Sequence, residues 1–201
     1  QLVVVGEHNL RVSHCLIGLP GARLEDIRTV ISHPQALAQC DGYLKRKGVK
    51  IEAVYDTAGS VKLMRDGGDP SVAAIAARRA ADLYGMRVLE EAIEDNPANF
   101  TRFLVVAGAP VDPGPDAKTS IVFSLDNRPG VLYKAMSVFA LRDIDLTKIE
   151  SRPLAGKPWE YFFYIDLAGS TEETRVKNAL ANLGEFATFL RVLGSYPRYR
   201  G

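Results

Sequence analysis

The eleven residues GAPVDPGPDAK, Gly108 to Lys118, include three prolines and two glycines. Proline has no N–H to offer a helix or a sheet ladder, and it pushes the residue before it out of the helical region. With little to bury as well, the stretch reads as a linker. Whatever this chain folds into is therefore built from the parts on either side. The expected division is residues 1–110, a linker at 111–117, and residues 118–201.

Before the linker, strand-like and helix-like segments alternate. RTVIS is followed by Pro34 and a helical pattern with Leu37, Cys40 and Leu44 on one face, closed by Gly48. VKIEAVY reads as a strand, TAGSVKLMRD as a short helix, SVAAIAA as a strand and RRAADLYG as a helix. NFTRFLVV closes the region. Such alternation predicts an α/β layer with crossover helices. After the linker the order changes. TSIVFSL is strand-like, and Leu132, Ala135, Met136 and Phe139 mark a helix by their i, i+3, i+4, i+7 spacing. DLTKIES and EYFFYIDL are two more strands. Val176, Ala179, Leu180, Leu183, Phe186 and Ala187 trace a second amphipathic helix, and TFLRVLGSY is the last strand. The order βαββαβ is the split ferredoxin-like pattern.

At 201 residues, 47% hydrophobic and 24% charged, the chain has the composition of a globular protein with room for a sizeable core. Its net charge is +1, and only KRKG and RYR are basic clusters. That leaves no electrostatic footprint for nucleic acid or an anionic membrane. No apolar run approaches the roughly 20 residues that cross a bilayer. Cys15 and Cys40 are too few for a disulfide framework and read as small core residues in a reducing compartment. His8, His14 and His33 lack metal-ligand spacing with them, so no metal site is expected. There is no signal peptide or initiator methionine. The opening QLVVVG reads as the middle of a strand, which predicts a chain missing its N-terminal part.

Five stretches carry residues suited to chemistry. In NFTRFL, strand alternation turns Thr101 and Phe103 to one face and Arg102 and Leu104 to the other. In SHPQALAQC, Ser32 sits at the carboxyl end of a strand, where α/β sheets bind ligands. Gln35 and Gln39, four apart, share a helix face. These uncharged donors suit a small anionic substrate, and they equally suit a capped helix with a solvated face. DTAGS places Thr57 at another helix start, with Asp56 or Thr57 as cap. In NRPGVL, Asp126 or Asn127 is placed to cap a helix, and Pro129 is pre-set for its first turn. Gly130 bares backbone that attracts a carboxylate. In IESRP, Glu150, Ser151 and Arg152 end a strand before Pro153, fit to hold an amino group, to brace a dimer or to form an exposed ion pair. On a βαββαβ frame the last two resemble the ACT domain, a regulatory module that binds free amino acids.

SHPQALAQC, DTAGS, VAAIAARRAADLYG, NFTRFL, PGVLYKA and KIESRP, in that order, resemble the prephenate and arogenate dehydratases over nearly the whole chain. The resemblance implies a partial two-lobed, periplasmic-binding-protein-like catalytic domain followed by a ferredoxin-like ACT domain. The family's glycine-rich opening strand and its PIENS-like stretch are not among these residues. It implies loss of water and CO2 from prephenate or arogenate, with no metal or organic cofactor. Thr101 would be the catalytic residue. Ser32, Gln39, Thr57, Arg102 and Phe103 would bind substrate, with Arg102 either opposing a carboxylate or, as the alternation favours, bracing its strand. L-phenylalanine would bind as feedback inhibitor through Asn127, Pro129, Gly130, Val131, Leu132, Glu150, Ser151 and Arg152. A homodimer or tetramer, in a bacterial cytoplasm or a plastid stroma, completes the expectation.

Overall fold

The computed structural model describes residues 2–154, 156–157 and 159–200. In chain order they form β1 (Val3–Arg11), β2 (Cys15–Gly18), β3 (Thr29–Ser32), α1 (Pro34–Gln39), α2 (Asp41–Lys47), β4 (Lys50–Ala53), α3 (Thr57–Gly67), β5 (Val72–Ala76), α4 (Arg78–Tyr84), β6 (Arg87–Glu90), β7 (Phe100–Ala107), β8 (Ala117–Leu125), α5 (Val131–Ala140), β9 (Leu146–Pro153), β10 (Tyr161–Ala168), α6 (Thr174–Gly184) and β11 (Ala187–Pro197). The proline-rich residues 108–116 contain neither helix nor strand. By contacts the chain groups into two compact units. One is Leu10–Thr101, and the other is the segment up to Asn9 together with everything from Arg102 onward.

The unit Leu10–Thr101 is built on a five-stranded sheet in the order β4-β3-β5-β2-β6. β3 runs parallel to β4 and β5, whereas β2 runs antiparallel to β5 and β6. Alternation along the central strands sends Leu16, Val30, Ala73 and Ile75 into one core with Leu37, Cys40, Tyr43 and Leu44 of the α1–α2 region. Cys15, Ile17, Ile31, Ala74 and Ala76 enter a second core with Val61, Met64, Ala80 and Ala81 of α3 and α4. Both faces are therefore covered, which is why β5 reads VAAIA with no polar alternation. Each buried Leu or Ile stabilises this packing by roughly 1.5–3 kcal/mol relative to exposure. Cys15 and Cys40 are free and buried, as core residues.

The expected alternation is present, with three differences. The helix expected from Pro34 to Gly48 is broken at Cys40, whose φ of −119° leaves the helical region, so it becomes two short helices. VKIEAVY supplies only four strand residues. The strands β2 and β6 were not expected, because four residues are too few to show a period.

In the second unit the order β8-α5-β9-β10-α6-β11 is the expected βαββαβ pattern. Its antiparallel sheet has strand order β11-β8-β10-β9. Ile121, Phe123, Leu125, Ile165 and Leu167 meet Ala135, Phe139, Val176, Ala179 and Leu183 of the two helices in one core. Leu132, expected on that apolar face, is 40% exposed, and Val138 is buried instead. Phe186 and Ala187 lie beyond the end of α6, although both still pack against the core. Their spacing reported burial rather than helix. β1 and β7 pair as a two-stranded sheet. β11 approaches β1 so closely that a Cβ on Gly194 would lie 2.0 Å from the Val4 carbonyl oxygen. Only glycine fits that approach. Among the described residues no helix is long and apolar enough to cross a membrane.

Candidate functional site

In the unit Leu10–Thr101, a cavity of about 220 Å³ is lined by Val12, His14, His33, Gln35, Ala36, Gln39, Thr57 and Thr101. Its size is below the roughly 300–1,000 Å³ of drug-sized pockets, which suits a small metabolite. Local rules place each wall. His33 caps α1, its Nδ1 accepting from the Gln35 N–H at 3.2 Å, with Pro34 as the first helical residue. That geometry sets Gln35 and Gln39 one turn apart. Asp56 caps α3 by accepting from the Gly59 N–H at 2.8 Å, as the cap reading expected, and this places Thr57 at the helix start. Thr101 is the second residue of β7.

Within the wall, His14 Nε2 lies 2.7 Å from Gln39 Oε1. The backbone N–H of His14 donates to Glu94 at 2.9 Å, and the Ser13 hydroxyl donates to the same oxygen at 3.4 Å. Burial opposes ionisation of Glu94. The His14 amide, with the Ser13 hydroxyl and the nearby His14, outweighs it and holds the carboxyl below its usual range.

Thr101, Gln39 and Thr57 thus come together from distant parts of the chain. Ser32 is fully buried beneath them, its hydroxyl donating to the Ile75 carbonyl at 2.7 Å. Arg102 and Phe103 belong to the other unit. There Arg102 Nε pairs with Glu7 at 2.6 Å, one terminal nitrogen pairs with Asp166, and the other donates to the Tyr196 hydroxyl at 2.7 Å. Lys118 closes on the second Glu7 oxygen at 2.6 Å, and Ser120 donates to Asp166. Burial pushes the Tyr196 hydroxyl up to about 12. Phe103 is half exposed.

A second cavity, of about 250 Å³, lies at the start of α5. Asn127, Gly130, Val131 and Leu132 line it, together with Tyr133, Trp159, Tyr161 and Phe163. The expected cap by Asp126 or Asn127 is absent. Gly130 occupies the N-cap position at φ 77° with no side-chain hydrogen bond, and Asp126 pairs with Arg128 instead. Pro129 therefore precedes the helix rather than opening it, and the positive φ is one that glycine adopts without strain. Glu150, Ser151 and Arg152 do not line the cavity. Glu150 pairs with Lys148 at 2.9 Å and Arg152 at 2.5 Å, while Ser151 lies opposite Phe163 in the β9–β10 ladder. Pro153 still pairs with Tyr161 as the last residue of β9, so it does not stop pairing before the strand end.

Residues 1–110 match the family model of prephenate dehydratase, and residues 119–185 match that of the ACT domain. The chain belongs to the prephenate dehydratase family. Arogenate dehydratase/prephenate dehydratase 2 of Arabidopsis thaliana is 50% identical over 98% of the chain. The chain spans about half the length of the curated relatives it matches, 55% in this case. Among solved structures, the prephenate dehydratase of Arthrobacter aurescens in complex with L-Phe matches with a TM-score of 0.85 at 35% identity, covering 98% of this chain and 66% of that one. A protein described as a novel type of quorum quenching acylase matches at the same TM-score of 0.85 with 37% identity, over 98% of this chain and 73% of its own.

Reading the sequence of this prephenate dehydratase family member did not single out His14 as a cavity residue, because its partner Gln39 is 25 positions away. It also missed Trp159, Tyr161 and Phe163. The aromatic cluster WEYFFY was the available signal. Trp159 has φ 69°, a left-handed conformation uncommon for a bulky residue, and is 74% exposed.

Proposed function

We propose that the chain acts on prephenate, converting it to phenylpyruvate by decarboxylating dehydration, or on arogenate, converting it to L-phenylalanine, with L-phenylalanine as inhibitor at the ACT domain. The observation that supports this reading is the convergence of Thr101, Gln39 and Thr57 on one small cavity in a chain of this family. In the reaction the bond to the ring carboxylate breaks, and its electron pair enters the ring. The ring hydroxyl departs with one added proton as water, and CO2 leaves. Aromatisation drives the step, so no electron acceptor is required. The Thr101 hydroxyl is assigned to hydrogen-bond the departing oxygen, an interaction that strengthens as charge develops there. Gln39 and Thr57 offer uncharged donors to a substrate carboxylate. Ser32 steadies the strand end beneath them, and Arg102 and Phe103 serve the strand that carries Thr101.

The inhibitor is assigned to the second cavity, with its carboxylate at the Asn127–Leu132 turn and its ring among Trp159, Tyr161 and Phe163. Glu150, Ser151 and Arg152, which do not line the cavity, are assigned to the inhibitor through β9, the strand paired with that of Tyr161 and Phe163. The reading includes a homodimer or tetramer, which is withdrawn if sedimentation finds only monomer with and without phenylalanine. It places the protein in a bacterial cytoplasm or, second, a plastid stroma; cell fractionation that finds it elsewhere would exclude both. The Arabidopsis relative is described as chloroplastic. A hydrolytic acyl-transfer reading finds less support, since among the described residues no serine, threonine or cysteine side chain hydrogen-bonds a histidine.

Turnover of prephenate and arogenate by the purified chain, with and without L-phenylalanine, tests the proposal. Turnover of either substrate that phenylalanine suppresses is the expected result. No turnover with phenylalanine still bound would reduce the chain to a phenylalanine-binding module.

A further inference from the structure

We infer that His14 is a positioning residue that orients the Gln39 side-chain amide, leaving its NH2 group as the end presented to an anionic substrate. The inference rests on the cavity being the substrate site. A glutamine amide has one acceptor end and one donor end of nearly equal size, so a half-turn of the group swaps them at little steric cost. Gln39 Oε1 meets His14 Nε2 at 2.7 Å. A carbonyl oxygen only accepts, so this arrangement is satisfied by the tautomer with hydrogen on Nε2, while the ring's Nδ1 is buried without a hydrogen-bond partner among the described residues. With the oxygen occupied, the Gln39 NH2 is left without a hydrogen-bond partner among the described residues, on a side chain that lines the cavity together with Thr57 and Thr101.

His14 is fixed where it stands. It is only 5% exposed, its backbone N–H donates to Glu94 at 2.9 Å, and its backbone carbonyl accepts from the Ile93 N–H at 3.1 Å. Burial and these backbone bonds hold the ring beside Gln39. A dicarboxylate needs donors, and a flipped Gln39 would turn its carbonyl oxygen toward an anion. With hydrogen on Nε2, His14 sets the sign of the local dipole in a cavity whose other hydroxyl and amide groups can rotate to either sign. The residue acts through Gln39 and has no assigned contact with the reacting atoms.

The first readout needs no turnover. A long-range proton–nitrogen correlation spectrum of the labelled chain reports which imidazole nitrogen bears hydrogen. Hydrogen on Nε2 is expected, and hydrogen on Nδ1 alone would overturn the inference. The second readout is a cycle of His14→Leu, Gln39→Leu and the double variant. His14→Leu should lower kcat/KM by about tenfold, chiefly through KM, as for loss of one oriented hydrogen bond to a charged group. Gln39→Leu should lower it by about tenfold to a hundredfold. The double variant should match Gln39→Leu alone, because His14 has nothing left to orient. His14→Gln, which restores a donor near the same place, should recover most of the loss, with thermal denaturation confirming folded protein throughout. Independent, additive losses would overturn the positioning role. If Gln39→Leu leaves turnover unchanged, the assignment of the cavity to substrate falls, and the imidazole spectrum still decides whether His14 holds the amide.

Discussion

Replacing Arg102 by leucine removes a guanidinium that three buried groups share. Glu7 and Asp166 have side chains only 1% and 7% exposed, whereas that of Arg102 is 24% exposed. Breaking a buried ion pair from one side costs roughly 3–5 kcal/mol, mostly because the other charge stays behind without its partner. Two features argue for the low end. Glu7 keeps Lys118 at 2.6 Å and the Tyr199 N–H at 3.2 Å, and Asp166 keeps the Ser120 hydroxyl. The partial exposure of Arg102 also admits screening water. The expected loss for Arg102→Leu is therefore about 3 kcal/mol, or roughly 6–12 °C in Tm for a chain of this size. Urea denaturation followed by circular dichroism measures it. Adding Glu7→Gln should cost less than the sum of the two single losses, since the pair is already broken. A loss below about 1 kcal/mol, or strict additivity, would refute the network as a source of stability.

Two further expectations follow from the same unit. Burial opposes ionisation of Glu7, but Lys118, the Tyr199 amide and Arg102 outweigh it and hold its carboxyl below 4.5. A folded-state value below the unfolded one means that Glu7 contributes stability above about pH 4.5, and that this is lost as pH falls through the folded value. Glu7→Gln should therefore be less stable near neutrality yet show a flatter acid limb in pH-dependent denaturation; an unchanged limb would contradict the assignment. Trp159 is the single tryptophan and lines the second cavity. L-phenylalanine should shift its emission to shorter wavelength as the indole loses water, and binding seen by calorimetry with no spectral change would place the ligand elsewhere.

The βαββαβ half was legible because its strands are long and its core residues keep strict parity: Ile121, Phe123 and Leu125 all point into one core. The doubly covered sheet was harder to read. β2 and β6 have four residues each and no alternation, so the antiparallel placement of β2 between β5 and β6 left no periodic trace. Caps were legible where a side chain acts, as at Asp56, and misread where backbone geometry acts, as at Gly130. At the site, Gln39 stood out by the helix face it shares with Gln35, Thr57 by its place at a helix start and Thr101 as a hydroxyl in an apolar strand, and the family resemblance supplied their roles. His14 did not, because its meaning depends on a contact made only on folding. Adjacent residues of β7 also divide between units: Thr101 lines a cavity in one, and Arg102 is bound to Glu7, Asp166 and Tyr196 in the other. Strand alternation alone separates two neighbouring side chains, but it does not name their partners.

The most direct test of the central claim compares Thr101→Ala with Thr101→Ser in turnover of prephenate and arogenate. Loss of a hydrogen bond made chiefly in the transition state should lower kcat by about a hundredfold or more in the alanine variant. The serine variant, which keeps the hydroxyl, should stay within about tenfold of the parent. Unchanged turnover in Thr101→Ala would contradict the account, because the cavity would then hold the substrate without supplying the proton.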